Sequence, residues 1–174
     1  MYEKPLWLMA DIGEKIMKIF SRLILSLGML GFISHVSADQ ALSYGSGIHL
    51  QQAKRVAEVA AREANRLNLR VSVAIVDTAG HLVYFEKADD TQTASVEVAI
   101  AKARSASNFR RPTKVFEDAV VGGRTSILGL PGAVPVEGGV PIVLNDRIIG
   151  AIGISGASSA EDGVVAAAAV SAIQ

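Results

Sequence analysis

The sequence has no cysteine, few aromatic residues and no excess of either charge. A cysteine count of 0 excludes disulfides, thiolate metal sites, a cysteine nucleophile and a thioether-linked haem. Aromatic residues make up 5% of the chain and hydrophobic residues 50%, so the core must consist of alanine, valine, isoleucine and leucine. The formal net charge of +0 gives no overall field that attracts nucleic acid or an anionic membrane surface, and we expect neither partner.

The N-terminal part of the chain has the pattern of an export signal. An uncharged apolar run over 23–33 follows Lys18 and Arg22 and precedes Val36-Ser-Ala38. The run is shorter than the roughly 20 residues that span a bilayer. A basic start, a short apolar centre and a small-residue cleavage site are typical of a secretory signal peptide. The alternative for this run is a buried core helix.

Residues 1–16 do not fit the basic start of such a signal, because they contain Glu3, Asp11 and Glu14. We interpret 1–16 as a mis-assigned start or an extension, since Met17 opens a complete signal by itself. Residues 17–38 are then the signal peptide, and 39–174 form the mature protein. The length of the mature chain suits a single domain. The mature protein is expected to be periplasmic or secreted, without membrane attachment after cleavage.

Hydrophobic periodicity predicts helices and hairpins along the mature chain. Residues 39–48 are rich in glycine and serine and are expected to form a loose lead-in. Apolar residues at spacings of three and four predict helices, and Ser158 with Glu161 forms a capping box ahead of the last one. The expected helices lie at 50–68, 93–109, 114–120 and 159–173, the strands at 71–76, 81–86, 142–144 and 147–154, and a long loop at 129–141.

The turns between these strands pair them as hairpins. Residues 77–80 suit a tight turn, and Asn145-Asp146 tolerate positive φ angles between two apolar runs. Gly150 and Gly153 inside the last strand indicate that another group approaches closely. Because hairpins impose antiparallel pairing, we expect an α/β (α+β) fold with an antiparallel sheet of about five strands covered by helices.

Histidine is the first candidate for ligand binding, because it is a common haem ligand. His35 falls in the predicted signal, His49 precedes the first helix and His81 follows the turn at 77–80. We take His81 as the candidate, with an exposed turn histidine as the alternative. The two mature histidines are not paired on a helix or strand, so no metal site is predicted.

Two further segments are candidates for binding an anion. Arg110 and Arg111 precede Thr113, which is expected to cap the short helix, and guanidinium groups beside a helix N-terminus suit a carboxylate or haem propionates. The backbone N–H groups of Gly138 and Gly139 could bind an anion in the same way. The alternatives are a solvated basic connector and a plain turn.

The residues that would indicate catalysis are missing or isolated. Ser155 lies in Gly153-Ile-Ser-Gly156, but position 157 is alanine, so the nucleophile elbow of a serine hydrolase is incomplete. Asp89 and Asp90 are adjacent on an expected loop, where simple solvation explains them. We therefore favour a binding protein over an enzyme and leave the catalytic residues unassigned.

Four segments in this order resemble the GlcG/HbpS family, which also occurs as a C-terminal domain of some PduO proteins. They are Ile75–Phe85, Lys102–Ala106 with Phe109–Thr113, Gly138–Ile142 and Gly150–Ala157, and the resemblance covers about 48–173. It implies a profilin-like domain that assembles into dimers or larger homo-oligomers. It also implies haem as a cofactor, since some relatives bind haem and respond to it or degrade it, while others accompany glycolate or diol metabolism.

One departure from the family limits what is carried over. The haem-sensing branch uses Glu-x-x-Glu iron contacts, whereas Glu58 and Glu63 are five apart and do not share a helix face. Iron binding by these carboxylates is therefore not expected.

The favoured hypothesis is an exported protein that binds a small molecule, with haem as the candidate. The alternatives are an enzyme or accessory protein for a small hydroxy-acid or aldehyde metabolite, and a ring-forming structural protein.

Overall fold

The computed structural model describes residues 42–173. The predicted extension at 1–16 and signal peptide at 17–38 lie outside the described residues. The described part contains five strands, four α-helices and two short 3-10 helices. In chain order these are β1 (Ser43–Tyr44), α1 (Leu50–Arg66), β2 (Ser72–Asp77), β3 (Leu82–Lys87), α2 (Ser95–Phe109), α3 (Lys114–Val121), a 3-10 helix (Thr125–Gly129), β4 (Gly139–Leu144), β5 (Arg147–Ser155), α4 (Ser159–Val170) and a 3-10 helix (Ser171–Ile173).

The strands form one sheet in which β5 is central. β5 pairs antiparallel with β2 and with β4, and β2 pairs antiparallel with β3. The pairing of β2 with β5 ends at Gly150 of β5. Nearer the start of β5, Ile148 pairs in parallel with Tyr44 of β1. The α+β fold with five strands is confirmed, but the sheet is mixed rather than wholly antiparallel. β1 has only two residues, both exposed, so it shows no alternation of apolar and polar side chains. The sequence pattern could therefore not indicate that β1 pairs with the sheet.

Helices cover both faces of the sheet. α2 packs on one face, where its alanines Ala99, Ala103 and Ala106 contact Ala74 and Ala151. α1 and α4 pack on the other face over a larger core that includes the buried alanines of both helices and isoleucines of β2, β4 and β5. The low aromatic content therefore gives a core of small and branched aliphatic side chains, as the composition requires.

Two opposed glycines allow α2 to lie directly on the strands. Gly139 of β4 and Gly153 of β5 are register partners, so their missing side chains would stand on the same face. A Cβ atom at Gly153 would overlap the carbonyl oxygen of Ala99 and lie 2.6 Å from the nitrogen of Ala103, and one at Gly139 would lie 2.6 Å from Thr113 Cγ2. The close approach predicted at Gly153 is confirmed.

Most other boundaries follow the sequence, with two differences. The turn residues Asn145 and Asp146 have φ angles of 51° and 57°, and Ser158 forms the predicted capping box with Glu161. The loop expected at 129–141 is shorter, since β4 already begins at Gly139. Thr113 occupies the N-cap position of α3 as predicted, but its hydroxyl makes no cap hydrogen bond and instead accepts one from the backbone of Gly139.

Candidate functional site

His81 lies directly after the turn that joins β2 to β3, and Asp77 holds that turn together. Asp77 Oδ1 accepts hydrogen bonds from the N–H groups of Ala79 at 2.8 Å and His81 at 2.9 Å. Asp77 Oδ2 lies 3.5 Å from His81 Nδ1, and the imidazole is 80% exposed. The carboxylate thus lies beside a ring that is open to solvent, on the side from which carboxylates orient many metal-binding histidines.

The same contacts change the acidity of Asp77. Partial burial alone would raise its pKa, but the hydrogen bonds from the backbone of His81 and Ala79, with the adjacent imidazole, hold the pKa of Asp77 below its usual value. The side chain is therefore an anion at neutral pH. It places a negative charge beside Nδ1 of His81, while the rest of the ring is open to solvent.

The C-terminal end of α2 fixes the position of this turn. Ser107 Oγ donates a hydrogen bond of 2.9 Å to the carbonyl oxygen of Asp77, and Arg104 Nε donates one of 3.2 Å to that of Gly80. Gly80 has a φ angle of 80°, in the left-handed region that favours glycine. Because α2 itself rests on β5, the turn that carries His81 has a rigid support.

Tyr44 of β1 connects the N-terminal segment to the same end of α2. Its hydroxyl donates to the carbonyl oxygens of Ser107 at 2.8 Å and Asn108 at 3.2 Å, which lie in the last turn, where helix carbonyls lack partners. Arg110 follows with a φ angle of 54°, and its Cζ lies 5.6 Å from the centroid of the Tyr44 ring. This is within the range of a cation–π contact.

Two arginines also hold the segment around Tyr44. Arg110 Nη1 donates to the carbonyl oxygen of Leu42 at 3.3 Å, and Arg147 Nη1 donates to that of Tyr44 at 3.3 Å. The segment continues to Gly47, where a Cβ atom would lie 3.6 Å from Asp77 Cβ. The hairpin turn, the end of α2 and β1 are therefore neighbours, and we call their residues Tyr44, His81, Arg104 and Arg110 the arginine edge. Arg147 lies on the opposite face of β1, where a Cβ atom at Gly45 would lie 3.1 Å from its Cβ.

The other predicted binding residues have different surroundings. Arg111 is exposed, and its Nε donates to the carbonyl oxygen of Phe109 at 3.1 Å. Thr113 is buried and exchanges two hydrogen bonds with Gly139, one from its N–H at 2.9 Å and one to its Oγ1 at 3.0 Å. Gly138 accepts a backbone hydrogen bond from Ile154 at 2.9 Å. Thr113, Gly138 and Gly139 thus pack the loop against the sheet, and a ligand role for them stays a prediction.

One polar pair that the sequence interpretation did not assign lies beneath this loop. Lys102 Nζ donates to Asp162 Oδ2 at 2.8 Å and to the carbonyl oxygen of Ile154 at 3.0 Å, with the two side chains 1% and 3% exposed. Burial raises the pKa of Asp162, while the hydrogen bond and charge of Lys102 oppose that rise. The sequence signal that could have marked Lys102 as buried is its position beside Ala99, Ala103 and Ala106, on the apolar face of the predicted helix.

Residues 42–173 contain neither a cluster of metal-ligating side chains nor a membrane-spanning helix. No group of three or more histidine and carboxylate side chains in this range could hold a metal ion. None of the helices in the described range is long and apolar enough to cross a membrane. The arginine edge brings the exposed imidazole of His81 together with the exposed cations of Arg104 and Arg110.

Comparison with known proteins gives one family over nearly the whole described part of the chain. The family described as haem degrading protein HbpS-like matches residues 48–171. Protein GlcG from Escherichia coli strain K12 is 38% identical over 105 residues, which cover 60% of this chain and 78% of that protein.

Solved structures show the same similarity at the level of the fold. A double mutant of HbpS from Streptomyces reticuli has a TM-score of 0.68 and 26% identity, covering 76% of this chain and 91% of that one. PduOC, crystallised as a haem complex, has a TM-score of 0.66 and 28% identity, covering 74% of this chain and 96% of its own.

Proposed function

Because the chain belongs to the haem degrading HbpS-like family, we propose that it is a small-ligand-binding protein whose ligand is haem. The similarity to PduOC, which was crystallised with haem, supports this ligand. The observation that carries the proposal is the geometry of His81. Its ring is open to solvent, and Asp77 stands 3.5 Å from Nδ1, so that Nε2 is the nitrogen offered to iron.

We also propose that the protein works outside the cytoplasm and as a homo-oligomer. Export is supported by the signal-peptide pattern at 17–38 and would be tested by sequencing the N-terminus of the mature protein. Self-association is supported by two apolar side chains close together in sequence, Val121 at 81% exposure and Leu128 at 64%, since such side chains often lie in interfaces. Light scattering on the purified protein would measure its mass, and a monomer would contradict this part.

The haem proposal is tested by titrating the purified protein with haemin and following the Soret band. We expect a saturable shift in the wild type and a weaker, altered shift in His81→Ala, because iron loses its imidazole ligand. His49→Ala is the matched control, since His49 is also exposed and lies at the N-terminus of α1. A spectrum that is identical in wild type and His81→Ala would remove His81 as the ligand, and an absence of saturable binding would remove haem.

A further inference from the structure

The last turn of α2 contacts the turn that carries His81 through two neighbouring residues. Ser107, which is fully buried, donates from Oγ to the carbonyl oxygen of Asp77 at 2.9 Å. The same carbonyl oxygen accepts the N–H of Gly80 at 3.1 Å, which closes the turn. Asn108 packs against Gly80, since a Cβ atom added there would lie 3.2 Å from Asn108 Oδ1. The position of the turn therefore depends on the positions of Ser107 and Asn108.

Tyr44 binds these same two residues through their backbone. Its hydroxyl lies 2.8 Å from the carbonyl oxygen of Ser107 and 3.2 Å from that of Asn108, and it donates to both. The last carbonyl groups of a helix lack helical partners, and helix ends fray unless other groups bind them. The Tyr44 hydroxyl therefore keeps the last turn of α2 closed, with Ser107 Oγ in reach of Asp77.

β1 gives Tyr44 a support that does not depend on α2. Tyr44 pairs with Ile148 of the central strand, and the N–H of Gly45 donates to the carbonyl oxygen of Ile148 at 2.8 Å. Further along the chain, the N–H of Ile48 donates to the carbonyl oxygen of Ile149 at 2.7 Å. The backbone of Tyr44 is thus anchored on the sheet, and its hydroxyl joins the sheet to the end of α2.

We propose that Tyr44 is a positioning residue for His81 and acts through the last turn of α2. Tyr44 donates to the backbone of Ser107, Ser107 donates to the backbone of Asp77, and the N–H of His81 donates to the carboxylate of Asp77. Loss of the Tyr44 hydroxyl loosens the end of the helix and, with it, the turn at 77–80. This role rests on the proposed function, because His81 needs a fixed position in order to ligate iron.

The first measurement uses the haem-free protein. Amide hydrogen exchange at Ala79 and His81 is followed by NMR, because both N–H groups donate to Asp77 and exchange when these bonds open. Tyr44→Phe keeps the aromatic ring and removes the hydroxyl. We expect exchange at both amides to become about fivefold faster, which corresponds to the loss of one neutral hydrogen bond.

Tyr84→Phe is the matched control. The Tyr84 hydroxyl is also hydrogen-bonded, to Glu86 Oε2 at 3.0 Å, and Tyr84 is closer to His81 in sequence than Tyr44 is. It has no contact with the end of α2 through this hydroxyl. Exchange at Ala79 and His81 should therefore stay at the wild-type rate in Tyr84→Phe.

A second variant tests the route from Tyr44 to His81. Ser107→Ala removes the bond to Asp77 directly and should speed exchange at His81 by a similar factor. Residues that act through one network have effects that do not add. Tyr44→Phe should therefore change exchange at His81 less in the Ser107→Ala background than it does in wild type.

Titration with haemin separates positioning from ligation. Saturated Tyr44→Phe should show the Soret band of wild type, because His81 still ligates iron, but haemin should bind about fivefold more weakly, in line with one lost hydrogen bond. A variant that is only less stable would keep the wild-type affinity, since nearly all of it is folded in the absence of urea. Urea unfolding of each variant verifies that it is.

Wild-type exchange or wild-type haemin affinity in Tyr44→Phe would overturn the role of Tyr44. An equal effect of Tyr84→Phe, or an undiminished effect of Tyr44→Phe in the Ser107→Ala background, would overturn it as well. If haemin does not bind wild type, the haem proposal fails. Exchange in the haem-free protein then still decides whether Tyr44 holds the turn that carries His81.

Discussion

Two lysine–aspartate pairs in this protein have the same length but opposite surroundings. Lys102 and Asp162 are 2.8 Å apart with side chains 1% and 3% exposed, whereas Lys114 and Asp118 are 2.8 Å apart with side chains 51% and 61% exposed. Each pair joins Nζ to one carboxylate oxygen. Burial is the main difference between them, and Lys114 also has Glu137 Oε2 at 3.7 Å. Removing the aspartate from each pair compares a buried lysine left without a counter-ion with an exposed one.

The cost of removing Asp162 follows from what remains behind. In Asp162→Ala the Lys102 ammonium stays buried without its counter-ion, and breaking a buried pair in this way costs about 3–5 kcal/mol. The N–H of Ala157 also loses its 3.1 Å bond to Asp162 Oδ1, which adds about 1 kcal/mol. We expect a total near 5 kcal/mol, which is a large fraction of the 5–15 kcal/mol that ordinarily stabilises a domain of this kind.

Urea unfolding at neutral pH, followed by circular dichroism, measures this difference. Asp118→Ala should cost less than about 1 kcal/mol, because an exposed pair contributes little. Lys102→Met added to Asp162→Ala should recover stability, since the uncompensated charge is then removed. Equal small effects of Asp162→Ala and Asp118→Ala, or a double variant less stable than Asp162→Ala alone, would show that the buried charge does not set the stability.

Two further substitutions test the packing of α2 and the turn that carries His81. Gly153→Ala should destabilise the fold by about 3 kcal/mol, because its Cβ would overlap the backbone of α2. Gly129→Ala should be nearly neutral, since nothing lies within 4 Å of the added atom. Equal unfolding midpoints of the two variants would contradict this prediction. Asp77→Asn should lower stability at neutral pH. The pKa of Asp77 is lowered from 3.8, so its stabilisation is complete above that value and is lost as the pH falls through the lowered pKa. Wild type and Asp77→Asn should therefore converge in acid, and a gap that stays constant with pH would refute the assignment.

Sequence patterns predicted those parts of the fold whose signal lies within a few consecutive residues. The capping box at Ser158, the Asn145-Asp146 turn and the small-residue face of α2 each lie within a few consecutive residues. Periodicity and turn chemistry therefore placed the helices and hairpins. The parallel pairing of β1 with β5 depends instead on a contact between residues about a hundred positions apart, and two exposed residues carry no periodic signal.

The candidate site shows the same limit. His81 and Arg110 could be selected from the sequence by their residue types, because each has chemistry that suits haem. The residues around them could not be selected from the sequence. Tyr44 reaches the end of α2, and Arg147 reaches β1, only once the sheet has formed. Lys102 was visible as a charge on an apolar helix face, but its partner Asp162 lies in another helix. Pairs joined only by tertiary structure leave no spacing rule in the sequence.

The most direct test of the central claim, that His81 ligates haem iron, is chemical rescue of the His81→Ala variant. Haemin bound to this variant is titrated with free imidazole while the Soret band is recorded. We expect imidazole to restore the wild-type spectrum, because it replaces the missing ring at the iron. A variant whose spectrum already equals that of wild type, or one that imidazole does not move towards it, would contradict the claim.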